Sequence, residues 1–187
     1  MRVIAGKVRR TTLVTPQGKD VRPTTDRIKE TLFNIIQNDL YDCEFLDLFS
    51  GSGGIGIEAL SRGAKEAVFV DKNKESLRCI EYNLEHTRLT DEAEVLPMDC
   101  LQAIRNLSKR NKHFDIVFMD PPYECDLEAP VLEALDKSGI IDNDTMIIIE
   151  TSLRTDIEQW NDNHFTIERV KSYKTNQHVF LSYNMEG

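Results

Sequence analysis

From residue 44 onward, short apolar runs alternate with stretches whose apolar residues recur every three or four positions. The runs at 44–48, 67–70, 93–96, 114–119 and 145–150 have strand length and little polar interruption, as strands buried on both faces do. Between them the spacing changes to that of amphipathic helices. One runs to Arg62 and stops at Gly63. The next starts near Asn73 and turns Leu77, Ile80 and Leu84 inward; a third carries Leu101, Ile104 and Leu107; a fourth carries Val131, Leu132 and Leu135 and stops at Gly139. Strands separated by helices predict a parallel sheet covered on both faces. The end of the chain differs. The β-like runs 165–172 and 178–183 are joined by Lys174-Thr-Asn-Gln177, too short for a helical crossover, so they are expected to pair antiparallel. The predicted fold class is α/β, a mostly parallel seven-stranded sheet ending in an antiparallel hairpin.

The first forty residues read differently. Residues 2–5 and 11–14 are β-like and flank Gly6 and the basic stretch from Lys7 to Arg10, which predicts a small hairpin. Pro16-Gln-Gly18 marks a turn. A helix then follows, capped by Thr24 or Thr25, with Asp26 in its first turn and Ile28, Leu32, Ile35 and Ile36 on one face. The expected organisation is one domain over 1–187: a basic hairpin appendage at 1–22, a leading helix at 23–40 and an α/β body at 44–187.

Composition narrows the class. The 187 residues are 40% hydrophobic and 29% charged, as in ordinary globular chains. No apolar run is long enough to span a membrane, and the opening residues lack a signal-peptide core, so a cytoplasmic protein without membrane contact is expected. Cys43, Cys79, Cys100 and Cys125 form no C-x-x-C pair, and the four histidines are scattered, so reduced thiols and no metal site are expected. The net charge of −9 argues against a polyanionic partner, but its distribution does not. Residues 1–30 hold eight basic and three acidic side chains, a surplus of five, which leaves the remainder at −14. A basic arm on an acidic body can meet a polyanion locally; a solvated hairpin guarding its edge with charge is the plainer account.

The stretch Glu44-Phe-Leu-Asp-Leu-Phe-Ser-Gly-Ser-Gly-Gly-Ile-Gly56 runs from a buried strand through a glycine loop into a helix. That is the opening unit of a nucleotide-binding α/β domain. Asp47 sharpens the reading. A carboxylate beside this helix start would repel a pyrophosphate and favour a cationic ligand, and the sulfonium and ammonium of S-adenosylmethionine fit that description. Asp71, twenty residues after Gly51, stands where an acid takes ribose hydroxyls. Asp99 follows the third strand and Asp120 the fourth, so four strand ends on the ligand rim carry an aspartate. Each alone could be a helix cap.

Asp120-Pro121-Pro122-Tyr123 is the most specific motif. Neither proline has an N–H, so the strand cannot continue pairing and turns out sharply. A carboxylate and a carbonyl can hold the two N–H groups of an exocyclic amine and aim its lone pair, while Tyr123 offers a stacking face to an extruded base. Orientation and electrostatic support then carry the chemistry without a metal.

Together, D-x-F-x-G-x-G, the two following acids and D-P-P-Y resemble the class I, Rossmann-like S-adenosylmethionine-dependent amino-methyltransferases. Arg22-Pro-Thr-Thr-Asp-Arg27, leading into Ile-Lys-Glu-Thr-Leu-Phe-Asn34 ahead of the glycine loop, more narrowly resembles the RsmD family. The resemblance implies methylation of guanine N2 in 16S ribosomal RNA, with a small-subunit ribonucleoprotein particle as the expected partner. It implies Asp47, Phe49, Gly51, Gly53, Asp71, Lys72, Asp99 and Cys100 at the cofactor, and Asp120, Pro121, Pro122 and Tyr123 at the target amine. Lys7, Arg9, Arg10, Arg22, Thr24 and Arg27 would face RNA. The arm departs from the family's usual glycine-and-basic pattern, reading Gly6-Lys-Val-Arg-Arg10. Three rivals stand beside this reading. One is an amino-methyltransferase of DNA or other RNA, acting on adenine N6 or cytosine N4. The others are a nicotinamide-dependent oxidoreductase and a non-catalytic RNA-binding protein.

Overall fold

Three parallel strands carry the first half of the chain: β1 (Glu44–Asp47), β2 (Glu66–Val70) and β3 (Ala93–Leu96), in the order β3-β2-β1. The computed structural model describes residues 1–16, 26–122 and 126–186. It divides into two compact units, Met1–Asp99 and Cys100–Gly187. In the first unit Asp47 pairs in register with Phe69, and Val70 with Leu96. Phe45, Leu46, Val68 and Phe69 are wholly buried, as expected for strands covered on both faces.

The helices of this unit are α1 (Asp26–Ile35), α2 (Gly54–Arg62) and α3 (Lys74–Thr87). Asn73 starts α3 by accepting the N–H groups of Glu75 and Ser76 at 2.8 and 3.3 Å. The buried face of α1 holds Lys29, Leu32 and Phe33, with Ile36 just beyond it. Lys29 is a charged residue in what the sequence pattern marks as an apolar helix, and its partner explains it. Its ammonium lies 3.1 Å from Glu58 Oε2, both side chains wholly buried, and donates to the Arg2 carbonyl at 2.7 Å.

Glu58 holds more than Lys29. It accepts the N–H groups of Ile4 (2.8 Å) and Ala5 (3.0 Å) and Nε–H of Arg62 (2.8 Å). Arg62 in turn lies over the Phe33 ring, 5.2 Å from its centroid. Ser61, near the end of α2, accepts the Lys7 N–H at its carbonyl (2.8 Å) and the Val8 N–H at its hydroxyl, which donates to the Ala5 carbonyl at 2.6 Å. At Gly6 (φ +84°) a Cβ would overlap the Ser61 carbonyl, so only glycine lets the arm lie this close. The arm folds on itself through an antiparallel bridge between Arg2 and Thr12. Rather than hanging from the body as an appendage, its backbone is seated on α2.

The second unit holds β4 (Ile116–Met119), β5 (Met146–Ser152), β6 (Phe165–Ser172) and β7 (Asn176–Tyr183), ordered β4-β5-β7-β6. β4 and β5 are parallel; β7 runs antiparallel to both β5 and β6. Its helices are α4 (Cys100–Lys109) and α5 (Glu128–Asp136). Among the described residues, the seven strands and five α-helices are those the sequence pattern predicts. β4 starts two residues later than expected, because the Phe114 N–H donates to the Ile140 carbonyl at 3.0 Å instead of to a strand. β7 starts two residues earlier, since a tight turn pairs the Tyr173 N–H with the Asn176 carbonyl at 2.8 Å. Among the described residues no helix is long and apolar enough to cross a membrane.

Candidate functional site

In the first unit the ends of β1 and β2 are tied together before the glycine loop begins. Ser50 continues the ladder past β1: its N–H donates to the Val70 carbonyl (3.0 Å), and its hydroxyl accepts the Val70 N–H (2.9 Å) and donates to the Asp47 carbonyl (2.8 Å). The loop that follows ends at Gly53, which precedes α2 with no capping side chain, so the first N–H groups of α2 keep their donor capacity. At Gly56 a Cβ would run into the Phe69 ring of β2, so glycine is what lets α2 pack on the strand.

Two of the predicted acids meet this loop. Asp71, just past β2, accepts the Gly51 N–H at Oδ2 (2.9 Å) and the Asn73 N–H at Oδ1 (2.8 Å). Asp47 is 1% exposed, and neither carboxylate oxygen meets a hydrogen-bond donor among the described residues. Burial therefore pushes its carboxyl up from 3.8 to about 7, and the charge of Asp71 adds to the rise. The nearby Gly56 N–H opposes the rise by more than Asp71 adds to it, and the Phe49 N–H and the Ser50 hydroxyl oppose it by less. A buried, unmatched carboxyl costs stability unless something cationic meets it. Phe49 is half-buried beside Ser50, Lys72 is exposed next to Asp71, and Asp99 closes the unit after β3.

Sequence reasoning missed Ser50, Glu58 and Asn83. Asn83 is wholly buried on α3 and holds both backbone groups of Val14, accepting its N–H and donating to its carbonyl, each at 2.9 Å. It also donates to the Ser52 carbonyl of the glycine loop at 2.8 Å. The available signal was a polar residue at a core position of an amphipathic helix, as Glu58 is in α2. Through Asn83 the arm and the loop share one support. On the arm, Lys7 pairs with Glu92, while Arg9 and Arg10 are exposed and make no ion pair among the described residues. Arg27 is exposed on α1.

In the second unit Asp120 directly follows β4, Pro121 is buried and Pro122 exposed. Cys100 is buried at the start of α4. Where the chain resumes its regular course after the motif, Glu128 in the first turn of α5 accepts the Thr151 hydroxyl of β5 at 3.1 Å. Arg22, Thr24 and Tyr123 lie outside the described residues.

The family model described as Conserved hypothetical protein 95 matches residues 1–184. The protein YlbH of Bacillus subtilis is 38% identical over 150 residues, 80% of this chain and 82% of its own length. A Haemophilus influenzae protein named Ribosomal RNA small subunit methyltransferase D is 36% identical over 152 residues, 81% of this chain and 78% of its own. The solved Escherichia coli protein yhhF superposes with a TM-score of 0.83 at 27% identity, covering 98% of each chain. The chain belongs to this family, the RsmD family its sequence resembles, and has its Rossmann-like α/β fold.

Proposed function

We propose that this member of the RsmD family is an S-adenosylmethionine-dependent methyltransferase of 16S ribosomal RNA, acting on the exocyclic N2 amine of a guanine. The observation that carries the cofactor is Asp47, a buried carboxyl without a partner among the described residues, next to a glycine loop. An ammonium fits it, and a pyrophosphate does not. Asp71 keeps lone pairs for ribose hydroxyls beyond the two N–H groups it accepts, and Asp99 takes the adenine amino group. Bound there, S-adenosylmethionine supplies an electrophilic methyl group.

The chain's own residues orient the acceptor. Asp120 and the Pro121 carbonyl accept the two N–H protons of the amine, which localises its lone pair, and Tyr123 stacks on the base. The Asp120 carboxylate also supports positive charge as it grows on nitrogen. The name of the Haemophilus influenzae relative supports ribosomal RNA of the small subunit as the substrate class. Arg9 and Arg10, with Lys7, Arg22, Thr24 and Arg27, would hold its phosphates.

The test is methylation of RNA and of small-subunit particles with labelled cofactor, followed by nucleoside analysis. Label in N2-methylguanosine is expected. Label in N6-methyladenosine or N4-methylcytidine would move the protein to the rival amino-methyltransferase reading, and binding of a nicotinamide cofactor instead would remove methyl transfer altogether.

A further inference from the structure

A buried polar cluster in the second unit has no part in the reaction as described so far. Glu150, near the end of β5, is 5% exposed, and His178 of β7 is wholly buried. They are register partners across β5 and β7, and His178 Nε2 lies 3.0 Å from Glu150 Oε2. The other carboxylate oxygen, Oε1, accepts Nδ2–H of Asn176 at 2.5 Å. Asn176 Oδ1 has no partner among the described residues, so the carboxylate is what sets that amide's orientation. Tyr173, in the β6–β7 turn, places its hydroxyl 3.1 Å from His178 Nδ1, and the rings meet edge to face.

The contacts run as one chain from Tyr173 through His178 to Glu150. Burial and the charge of Glu150 push the Tyr173 hydroxyl up to about 12, against a smaller opposing pull from Arg169, so it stays a phenol and a donor. A phenol donating to His178 Nδ1 selects the imidazole tautomer with its proton on Nε2, facing Glu150 Oε2. In that tautomer Glu150 accepts Nε2–H of His178 on one oxygen and Nδ2–H of Asn176 on the other. The cluster holds a buried carboxyl whose two oxygens each meet a side-chain nitrogen, one from His178 and one from Asn176. A buried charge is expensive to keep.

Its place in the sheet gives it a use. Met119 and Ile149 are register partners on the parallel strands β4 and β5. The next residues along the chain are Asp120, just past the end of β4, and Glu150 on β5, so the two acids follow the last paired positions of neighbouring strands. Phe118, two residues before Asp120, packs edge-on against His178.

We propose that Glu150 is an electrostatic positioning residue for methyl transfer, with His178, Asn176 and Tyr173 holding its charge beside Asp120. This rests on the amine-methylation reading above. As the nitrogen–methyl bond forms from the amine lone pair, the sulfur keeps the electron pair of the breaking bond, and positive charge develops on nitrogen until one amine proton is lost to solvent. A carboxylate at the strand end next to that of Asp120 stabilises that charge more than it stabilises the neutral amine, so it acts on kcat rather than on binding. Tyr173 fixes the imidazole tautomer, and so acts one step further back.

The experiment compares Glu150→Gln, Glu150→Asp and Tyr173→Phe in the whole protein, using single-turnover methylation at saturating RNA and cofactor. Melting temperature and cofactor affinity by calorimetry are measured alongside. Glu150→Gln should lower the rate about 10-fold or more, with RNA KM and cofactor affinity within about twofold of wild type. Glu150→Asp, which keeps the charge, should recover most of the rate; Tyr173→Phe, at a half-buried site, should lose about threefold. A Glu150→Gln rate within about twofold of wild type, or an Asp variant no better than Gln, overturns the proposal. Should Glu150→Gln not fold, Tyr173→Phe decides: an unchanged rate overturns it. Asp120→Ala separates the two ideas. Loss of activity there with an active Glu150→Gln removes only this inference, whereas full activity of Asp120→Ala removes the amine-orienting reading beneath it.

Discussion

Asp71 Oδ2 accepts the Gly51 N–H at 2.9 Å, so the acid ending the second strand is bonded to the first glycine of the loop twenty residues earlier. The same carboxylate is proposed to take the cofactor's ribose. Charged-acceptor hydrogen bonds of that kind contribute about 1.5–3 kcal/mol. Asp71→Ala should then weaken S-adenosylmethionine about 10- to 150-fold by calorimetry. Asp71→Asn, which can still accept the Gly51 N–H, should keep the fold's melting temperature while losing affinity. Unchanged affinity in both would take Asp71 out of the site.

Asp47 makes a pH prediction with a definite sign. Its carboxyl is raised from 3.8 to about 7 in the folded protein, so between those values the folded state holds a proton that the unfolded state has lost. The resulting penalty begins above the unfolded value, grows as pH rises and is complete above about 7, where it amounts to about 4 kcal/mol. Asp47→Asn should raise the melting temperature of the ligand-free protein at pH 8 and leave it nearly unchanged at pH 4. A bound ammonium reverses the preference. Cofactor affinity should climb as pH rises toward 8, and calorimetry in buffers of different ionisation enthalpy near pH 6.5 should show proton release that Asp47→Asn abolishes.

Asp120→Ala should lower the methylation rate by at least about 10²–10³, by analogy with loss of one preorganised catalytic hydrogen-bond partner. Cofactor affinity should stay near wild type, since that carboxylate is assigned to the base. A mutant that methylates RNA at the normal rate would refute the orienting role.

The Lys29–Glu58 pair predicts a stability effect remote from chemistry. Removing one member of a buried ion pair strands the other, at a cost of about 3–5 kcal/mol. Lys29→Met should show that loss in denaturant unfolding. Combining it with Glu58→Leu should recover only part, because the Ile4 and Ala5 N–H groups then lose their acceptor as well. Full recovery in the double variant would mean the arm's anchoring contributes nothing.

Salt dependence tests the arm. Arg9 and Arg10 are exposed without ion pairs among the described residues, whereas Lys7 is engaged by Glu92. Replacing both arginines by Ala should lower the log–log salt slope of RNA binding by about 0.7–0.9 for each phosphate that is no longer neutralised. Lys7→Ala should change it least. Cofactor binding should be untouched, and a double variant with wild-type salt dependence would show the arm to be a solvated hairpin.

The elements were legible because burial on both faces leaves nearly unbroken apolar runs, as in Ile147, Ile148 and Ile149, and glycines mark where helices stop. Asp47, Asp71 and Asp120 were legible as strand-end acids, a place that local pattern defines, and each stands at or just past the end of its strand. Glu58, Asn83, Glu150 and His178 were not. Each is a polar residue in a core position, and its meaning lies in partners 26 to 69 residues away that no local pattern contains. Lys29 shows the same thing from the other side. Its burial makes sense only through Glu58, and burial still draws its ammonium below the ordinary value while Glu58 opposes the shift.

The hydrogen bonds that seat the arm on α2 and α3 engage its main chain. Glu58 and Ser61 grip the N–H groups of Ile4, Ala5, Lys7 and Val8, and Asn83 grips both polar groups of Val14. Within the turn from Gly6 to Arg10, the seat requires glycine at position 6, and Arg10 lies at φ +72°, which disfavours β-branched residues there. The seat therefore behaves as a socket indifferent to what is plugged into it. Charges at positions 9 and 10 can be exchanged or reversed without removing any of these hydrogen bonds, so the arm's outward charge is set independently of the grip that holds it beside the glycine loop.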